Sequence, residues 1–240
     1  MGYYNQNNQQ TPPQYGGGSY AVTHVNSVLK KVYVRMFIGL LVTAFCALGV
    51  ASSPSALEFF FMNRWVYWGM MIAMVVMCFV LPARIHKMST GTALGLFLLF
   101  SAMMGVSLAA IFLVYKLGSI CYTFFITAGV FGAMSVYGYF TKRDLSKIGT
   151  YLIMALIGLI LVSVVNIFLA SSSLQWIISG VGVLIFIGLT AWDTQQIKQM
   201  ALANMHPTLS DKLATLGALN LYLDFINLFL YLLRFFGSRD

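Results

Sequence analysis

The sequence predicts an all-α, polytopic membrane protein of seven transmembrane helices with the C-terminal helix at its centre. Three observations carry this. The chain is 60% hydrophobic and only 8% charged, with a mean hydropathy of +0.84, whereas ordinary soluble domains are about 25% charged. So few charges cannot cover a water-facing surface, and lipid is the solvent that tolerates such a composition. Seven apolar segments recur along the chain, each near or above the roughly 17–25 residues a bilayer-spanning helix needs. The last segment also carries a regular polar stripe, which a lipid-facing helix would not.

Residues 1–24 are rich in Asn, Gln, Tyr, Pro and Gly. They cannot form a core and are expected to be a disordered polar tail, with residues 25–240 as one seven-helix domain. No basic stretch runs directly into an apolar core there, so the tail does not read as a cleaved signal peptide. The expected spans are Val32–Ala51, Trp65–Leu81, Thr92–Val114, Ile120–Phe140, Ile148–Ala170, Leu174–Met200 and Leu213–Phe236. Short connections make neighbours in sequence antiparallel neighbours in space.

Lysine and arginine placement gives an expected orientation. Lys30, Lys31, Arg35, Arg84, Lys87, Lys142, Arg143, Lys147, Lys198 and Lys212 fall on the side of the N-terminus; Arg64, Lys116, Arg234 and Arg239 fall on the other. This asymmetry puts the N-terminus in the cytoplasm and the C-terminus outside. The net charge of +8 is therefore not a nucleic-acid signal, because the basic residues sit at the ends of apolar runs and not in one patch.

Several features read as packing. Cys46, Cys78 and Cys121 lie far apart in apolar runs, without a C-x-x-C and away from His24, His86 and His206, so they read as small apolar filler and not as metal ligands or disulfides. Gly91 and Gly95 form one G-x-x-x-G, and Gly129, Gly132, Gly158, Gly180, Gly182 and Gly188 are scattered through other spans; small residues let helices approach closely in lipid. No repeat with a period of 20–50 residues and no inverted repeat is evident.

The chemistry concentrates on two acids. Glu58, Asp144, Asp211 and Asp240 fall in expected loops or at the end, while Asp193 and Asp224 fall inside expected spans. An ionisable residue in a span is costly and marks function by default. Asp193 lies about 10 Å and Asp224 about 16 Å from the same membrane face, at ~1.5 Å per residue. Two antiparallel helices joined by a short connection can bring them together. Asn220, Asp224, Asn227, Tyr231 and Arg234 follow spacings of 4, 3, 4 and 3 along one face of the last helix. On the sixth, Gln175, Ser179, Gly182, Asp193 and Gln196 lie roughly on one face. Two close carboxylates in a low-dielectric site are expected to share one proton through a short hydrogen bond. Loss of that proton replaces attraction with repulsion and frees oxygen ligands for a hard cation such as calcium. Arg84, near the end of the second span, is at a depth to compete for one carboxylate, or else to snorkel to the interface.

The segments Ala218-Leu-Asn-Leu-Tyr-Leu-Asp-Phe-Ile-Asn-Leu-Phe-Leu-Tyr-Leu-Leu-Arg234, Ala191-Trp-Asp-Thr-Gln-Gln-Ile197 and His86-Lys-Met-Ser-Thr-Gly91 resemble the transmembrane Bax inhibitor motif family, over about residues 25–238. The resemblance implies a seven-helix fold with a central last helix, and a passive, pH-regulated calcium leak. Asp193 and Asp224 would be the family's paired aspartates, Arg84 the arginine tied to that pair in some relatives, and Arg234 the basic residue ten positions after the second aspartate. The chain departs from the pattern in the second span, which has no acid to partner Arg234; Glu58 lies outside it. The expected function is a pH-sensitive calcium leak of a bacterial plasma (inner) membrane. Asp193, Asp224 and Arg84 would form the sensor and gate, the two aspartates would hold calcium transiently, and Asn220, Asn227, Tyr231 and Arg234 would line or support the pore.

Calcium is then the permeant ion, no cofactor or nucleic acid is expected, and the partners are the bilayer, calcium and other membrane proteins. One alternative is a non-conducting regulator of another membrane protein, such as a stress or cell-death modulator. A second is an intramembrane aspartyl protease, which also sets one Asp on each of two neighbouring spans. The glycines that would admit a substrate strand are missing beside Trp192-Asp193 and Leu221-Tyr-Leu-Asp224, so no enzymatic activity is expected.

Overall fold

The computed structural model describes residues 17–204 and 206–238, with side chains described from residue 21 onward except at 207. The elements are α1 (Gly17–Ala51), α2 (Pro54–Leu57), a single π-turn (Glu58–Met62), α3 (Arg64–Arg84), α4 (Thr90–Leu108), α5 (Ile111–Val114), α6 (Leu117–Phe140), α7 (Ser146–Leu169), α8 (Ser172–Ala203) and α9 (Pro207–Phe236). Seven of the helical stretches are long and apolar enough to cross a membrane, with α4 and α5 together making the third. The expected all-helical, seven-span fold is what the chain adopts.

Polar side chains set several helix starts. Asn63 Oδ1 accepts from the amides of Trp65 and Val66 at 3.2 and 3.5 Å. Ser89 and Ser171 hydroxyls accept from Thr92 and Leu174 at 3.1 and 3.3 Å. Each satisfies a donor that a helix N-terminus leaves without an intrahelical partner. Asp144, in the exposed link before α7, accepts from the Ser146 amide at 2.9 Å, and its hydrogen bonds to Ser146 hold its carboxyl below the usual aspartate range.

Two boundaries differ from expectation. Residues 1–16 of the expected tail lie outside the described residues, but α1 already begins at Gly17, so residues 17–24 are helical. The cause is an apolar stripe that starts before the expected span. Val25, Val28, Leu29, Val32 and Met36 are all buried, at helical spacing. His24 fastens this extension, with Nε2 3.2 Å from both the Asn204 carbonyl and the Ser210 hydroxyl. Asp211, expected in a loop, lies in the first turns of α9. Lys31 Nζ sits 2.7 Å from its Oδ1, and Arg35 lies 3.4 Å from the same carboxylate while donating to Thr215 at 2.8 Å. Charge pairing at the membrane edge thus lets the helix run further out than hydropathy indicates.

The C-terminal helix is central. Two thirds (67%) of its most apolar window is buried inside the protein, against 44% for α8 and 6% for α7. It packs against α8, α1, α6 and α4. Its apolar side is locked by Tyr222, whose ring meets Phe97 and Phe100 edge-on at centroid distances of 5.6 and 6.1 Å. The Tyr222 hydroxyl lies 2.6 Å from Thr43 Oγ1, which is 2.9 Å from the carbonyls of both Gly39 and Ser101. One buried hydroxyl pair therefore ties α9 to α1 and α4 with its polar atoms satisfied.

The close helix approaches are not at the G-x-x-x-G. A side chain at Gly95 would meet nothing within 4 Å, and one at Gly91 only the Ser89 hydroxyl at 3.9 Å. At Gly105 and Gly138 a Cβ would collide with the backbone carbonyls of Thr43 and Ala191, and at Gly149 with the Trp192 ring. Overpacking such a contact costs about 1–3 kcal/mol. Gly105→Leu is therefore expected to lower the thermal midpoint of the detergent-solubilised protein by several degrees, and Gly95→Leu to leave it nearly unchanged. Equal shifts would show that the α1–α4 contact is looser than described.

Candidate functional site

The sequence put one carboxyl on each of two neighbouring spans, and the fold brings them together. Asp193 on α8 is 9% exposed and Asp224, near the middle of α9, is 5% exposed. Their carboxyl groups face each other within side-chain hydrogen-bonding reach. The Oδ2 atom of Asp224 is fully buried and finds no donor among the described residues. The nearby hydroxyls are already committed to their own helix, Thr190 to the Phe186 carbonyl at 2.7 Å and Thr194 to the Thr190 carbonyl at 2.8 Å. A buried carboxyl oxygen without a donor is costly when ionised. A proton held between the two acids, or a cation bound to them, is the chemistry that relieves it.

Gln195 holds α8 in place beside the pair. Its Oε1 accepts from the Leu145 amide and its Nε2 donates to the Arg143 carbonyl, both at 2.8 Å. This single side chain pins the α6–α7 link to α8 two positions from Asp193. Trp192, on the other side, packs its ring over Gly149 of α7. Neither role can be read from helical spacing, since both depend on which loop and which glycine lie opposite.

The pair opens onto a cavity of about 470 Å³ between α7, α8 and α9. Asp193, Gln196, Asn220, Asp224, Asn227 and Tyr231 line it, facing apolar α7 residues such as Ile153 and Ile160. Four of the five residues in the polar stripe of the last helix thus share one space. Asn227 uses its amide nitrogen on the Leu223 carbonyl at 2.8 Å, which leaves its oxygen as the atom it has for a ligand. Among the described residues, no group of three or more His, Cys, Asp or Glu side chains converges to hold a metal ion. Two carboxylates supplemented by neutral amide oxygens are the donors at hand.

Arg234, fifth in the stripe, lies apart. It is exposed and lines a second cavity, of about 500 Å³, with Asn166, Gln175 and Tyr231. Its guanidinium carbon sits 5.8 Å from the centre of the Tyr231 ring. Of the sixth-helix face, Gln175 reaches this second cavity, Gly182 packs against Tyr231, and Ser179 bonds the Gln175 carbonyl at 2.8 Å.

The structure does not bring Arg84 to the pair. It is exposed in the last turn of α3, lines neither cavity, and makes no ion pair among the described residues. The reason is the place of α3, which packs chiefly on α4 and the π-turn. Arg84 thus stands where an arginine snorkels outward. The arginine that does reach α9 is Arg35 of α1, at Asp211 and Thr215.

Comparison with known proteins agrees with this architecture. Residues 25–240 match the family described as Inhibitor of apoptosis-promoting Bax1. The chain is 49% identical over 217 residues to the inner membrane protein YbhL of Escherichia coli K12, covering 90% of this chain and 93% of that one. It is 46% identical over 215 residues to a protein of Borreliella burgdorferi, covering 89% and 93% of the two chains. A protein of Rickettsia prowazekii is 43% identical over 209 residues, covering 87% and 88%. With its seven spans, its central last helix and a family match that runs from the first apolar stripe of α1 to the final residue, this chain is an integral membrane protein of the Bax inhibitor family.

Proposed function

We propose that the protein is a pH-sensitive calcium leak whose proton sensor is the Asp193–Asp224 pair. The observation that carries this reading is the pairing of two buried carboxyls across α8 and α9, at a cavity they line with Gln196, Asn220 and Asn227, with one oxygen of Asp224 finding no donor among the described residues. Carboxylate and carbonyl oxygens are the ligands a hard divalent cation takes. A small set of carboxylates suits permeation, where binding must be strong enough to admit an ion and weak enough to release it. With a proton between them the acids hold α8 and α9 together. Without it they repel and offer their oxygens to calcium. The titratable side chains lining this cavity are Asp193, Asp224 and Tyr231. The reading assigns no catalysis to the pair and leaves Arg84 outside the latch.

Purified protein in liposomes loaded with a calcium dye tests this across pH 5–9. Wild type should show calcium entry that varies with pH, and Asp193→Asn and Asp224→Asn should each abolish the variation, because a single remaining acid has no partner with which to share a proton. An unchanged pH profile in both variants would count against the pair as sensor. Arg84→Gln is expected to keep the wild-type profile; a shifted midpoint would return that arginine to the gate.

We further propose a bacterial inner membrane as the site, with the N-terminus in the cytoplasm. The Lys and Arg asymmetry and the similarity to the inner membrane protein YbhL of Escherichia coli support this. Alkaline phosphatase fused after Asp240 should then be active in intact bacteria, and green fluorescent protein at the same point dark. The reverse pattern would invert the topology.

A further inference from the structure

Two cavities, each lined by polar and apolar side chains together, lie along the same seam of α7, α8 and α9, and one side chain stands between them. Tyr231 lines both the aspartate cavity and the Arg234 cavity, and among the described residues it is the one they share. Each space is far larger than the roughly 10–15 Å³ needed to seat one water. The series Gln196, Asp193, Asn220, Asp224, Asn227 therefore reaches the Tyr231 ring from one side, and Arg234, Gln175 and Asn166 reach it from the other. Polar side chains thus stand along this seam on both sides of a single aromatic ring, among apolar residues of α7 such as Ile160 and Ile167.

The ring is fixed on three sides. Phe186 of α8 stacks on it at a centroid distance of 5.9 Å with planes 27° apart. Gly182, one turn away on α8, leaves room for its edge, since a Cβ there would lie 2.7 Å from Tyr231 Cε2. The Arg234 guanidinium sits over the ring from the second cavity. A cation held against the ring face favours this position. Tyr231 is thus a wedge with a defined seat, and its place on α9 is one helical turn beyond Asn227.

We propose that Tyr231 is the barrier between the two cavities, closing a permeation path that runs along the α7–α8–α9 seam. The path as a route for calcium rests on the reading above; the barrier as a wall between water-accessible spaces does not. Removing the ring joins the cavities into one water-filled route across the seam. Phenylalanine, which keeps the ring, keeps the wall.

The test uses the full-length chain with Cys46, Cys78 and Cys121 replaced by alanine and Asn227→Cys added as a reporter on the aspartate side of the ring. A membrane-impermeant cationic methanethiosulfonate is applied from the face at which α9 ends. With Tyr231 present the thiol should react slowly, and Tyr231→Ala should speed it at least tenfold. Tyr231→Phe should stay slow, which separates loss of the ring from general loosening of the bundle. Calcium flux into liposomes, measured on the same variants without the reporter, should rise severalfold in Tyr231→Ala.

Faster thiol reaction in Tyr231→Ala but no calcium flux from any variant would uphold the barrier and refute the calcium reading. Calcium flux from wild type, with thiol reaction and flux both unchanged in Tyr231→Ala, would overturn the barrier and leave the leak standing. Equally fast reaction in Tyr231→Phe and Tyr231→Ala would overturn it as well.

Discussion

Burying a pair of carboxyl groups within an apolar bundle is the constraint from which the rest of this structure follows. An isolated ionised carboxyl costs several kcal/mol at membrane depth, so each acid needs the other, or a cation, close at hand. That requirement places α8 against α9 and turns the polar stripe of α9 away from lipid. It also fits the enclosure of the last helix, which carries Asp224 near its middle and is the most buried of the seven.

Holding those two acids in register requires anchors elsewhere on the same helices. On α9 the anchor is Tyr222, wedged between Phe97 and Phe100 and bonded to Thr43, on a different face from the acid. On α8 the Gln195 side chain clamps the link before α7. At the membrane edge, Lys31 and Arg35 grip Asp211 at the start of α9. The helices that carry the two acids are thus held by contacts that do not involve the acids themselves. In contrast, α7 shows most of its surface outward and meets the acid cavity through apolar side chains. A change at the pair is therefore borne mainly by the α8–α9 contact and by the seam that α7 covers.

The seam also gives the polar stripe its spatial order. Its residues are not equivalent once folded: Asn220, Asp224 and Asn227 face the acid cavity, Arg234 faces another, and Tyr231 belongs to both. The cavity of the two acids and a positive residue are thereby separated by an aromatic ring.

Span number, the two acids and the stripe on the last helix were all legible in the sequence, because each rests on local physics. Hydropathy acts residue by residue, an acid in an apolar run stands out wherever it points, and spacings of three and four define a helix face without knowledge of neighbours. Arg84 shows where that reasoning stops. Its depth was suitable, but depth does not say which way α3 is turned or that α3 lies on α4. The same holds for Gly105, Gly138 and Gly149, which make the close contacts while the G-x-x-x-G at Gly91 and Gly95 faces open space. In a membrane helix without a polar stripe, such as α3 or α4, the lipid-facing and protein-facing sides are equally apolar, so the pattern of residues does not encode the helix's rotation. Only the packed bundle decided which side chains meet, and with it the placing of Tyr231 between two cavities.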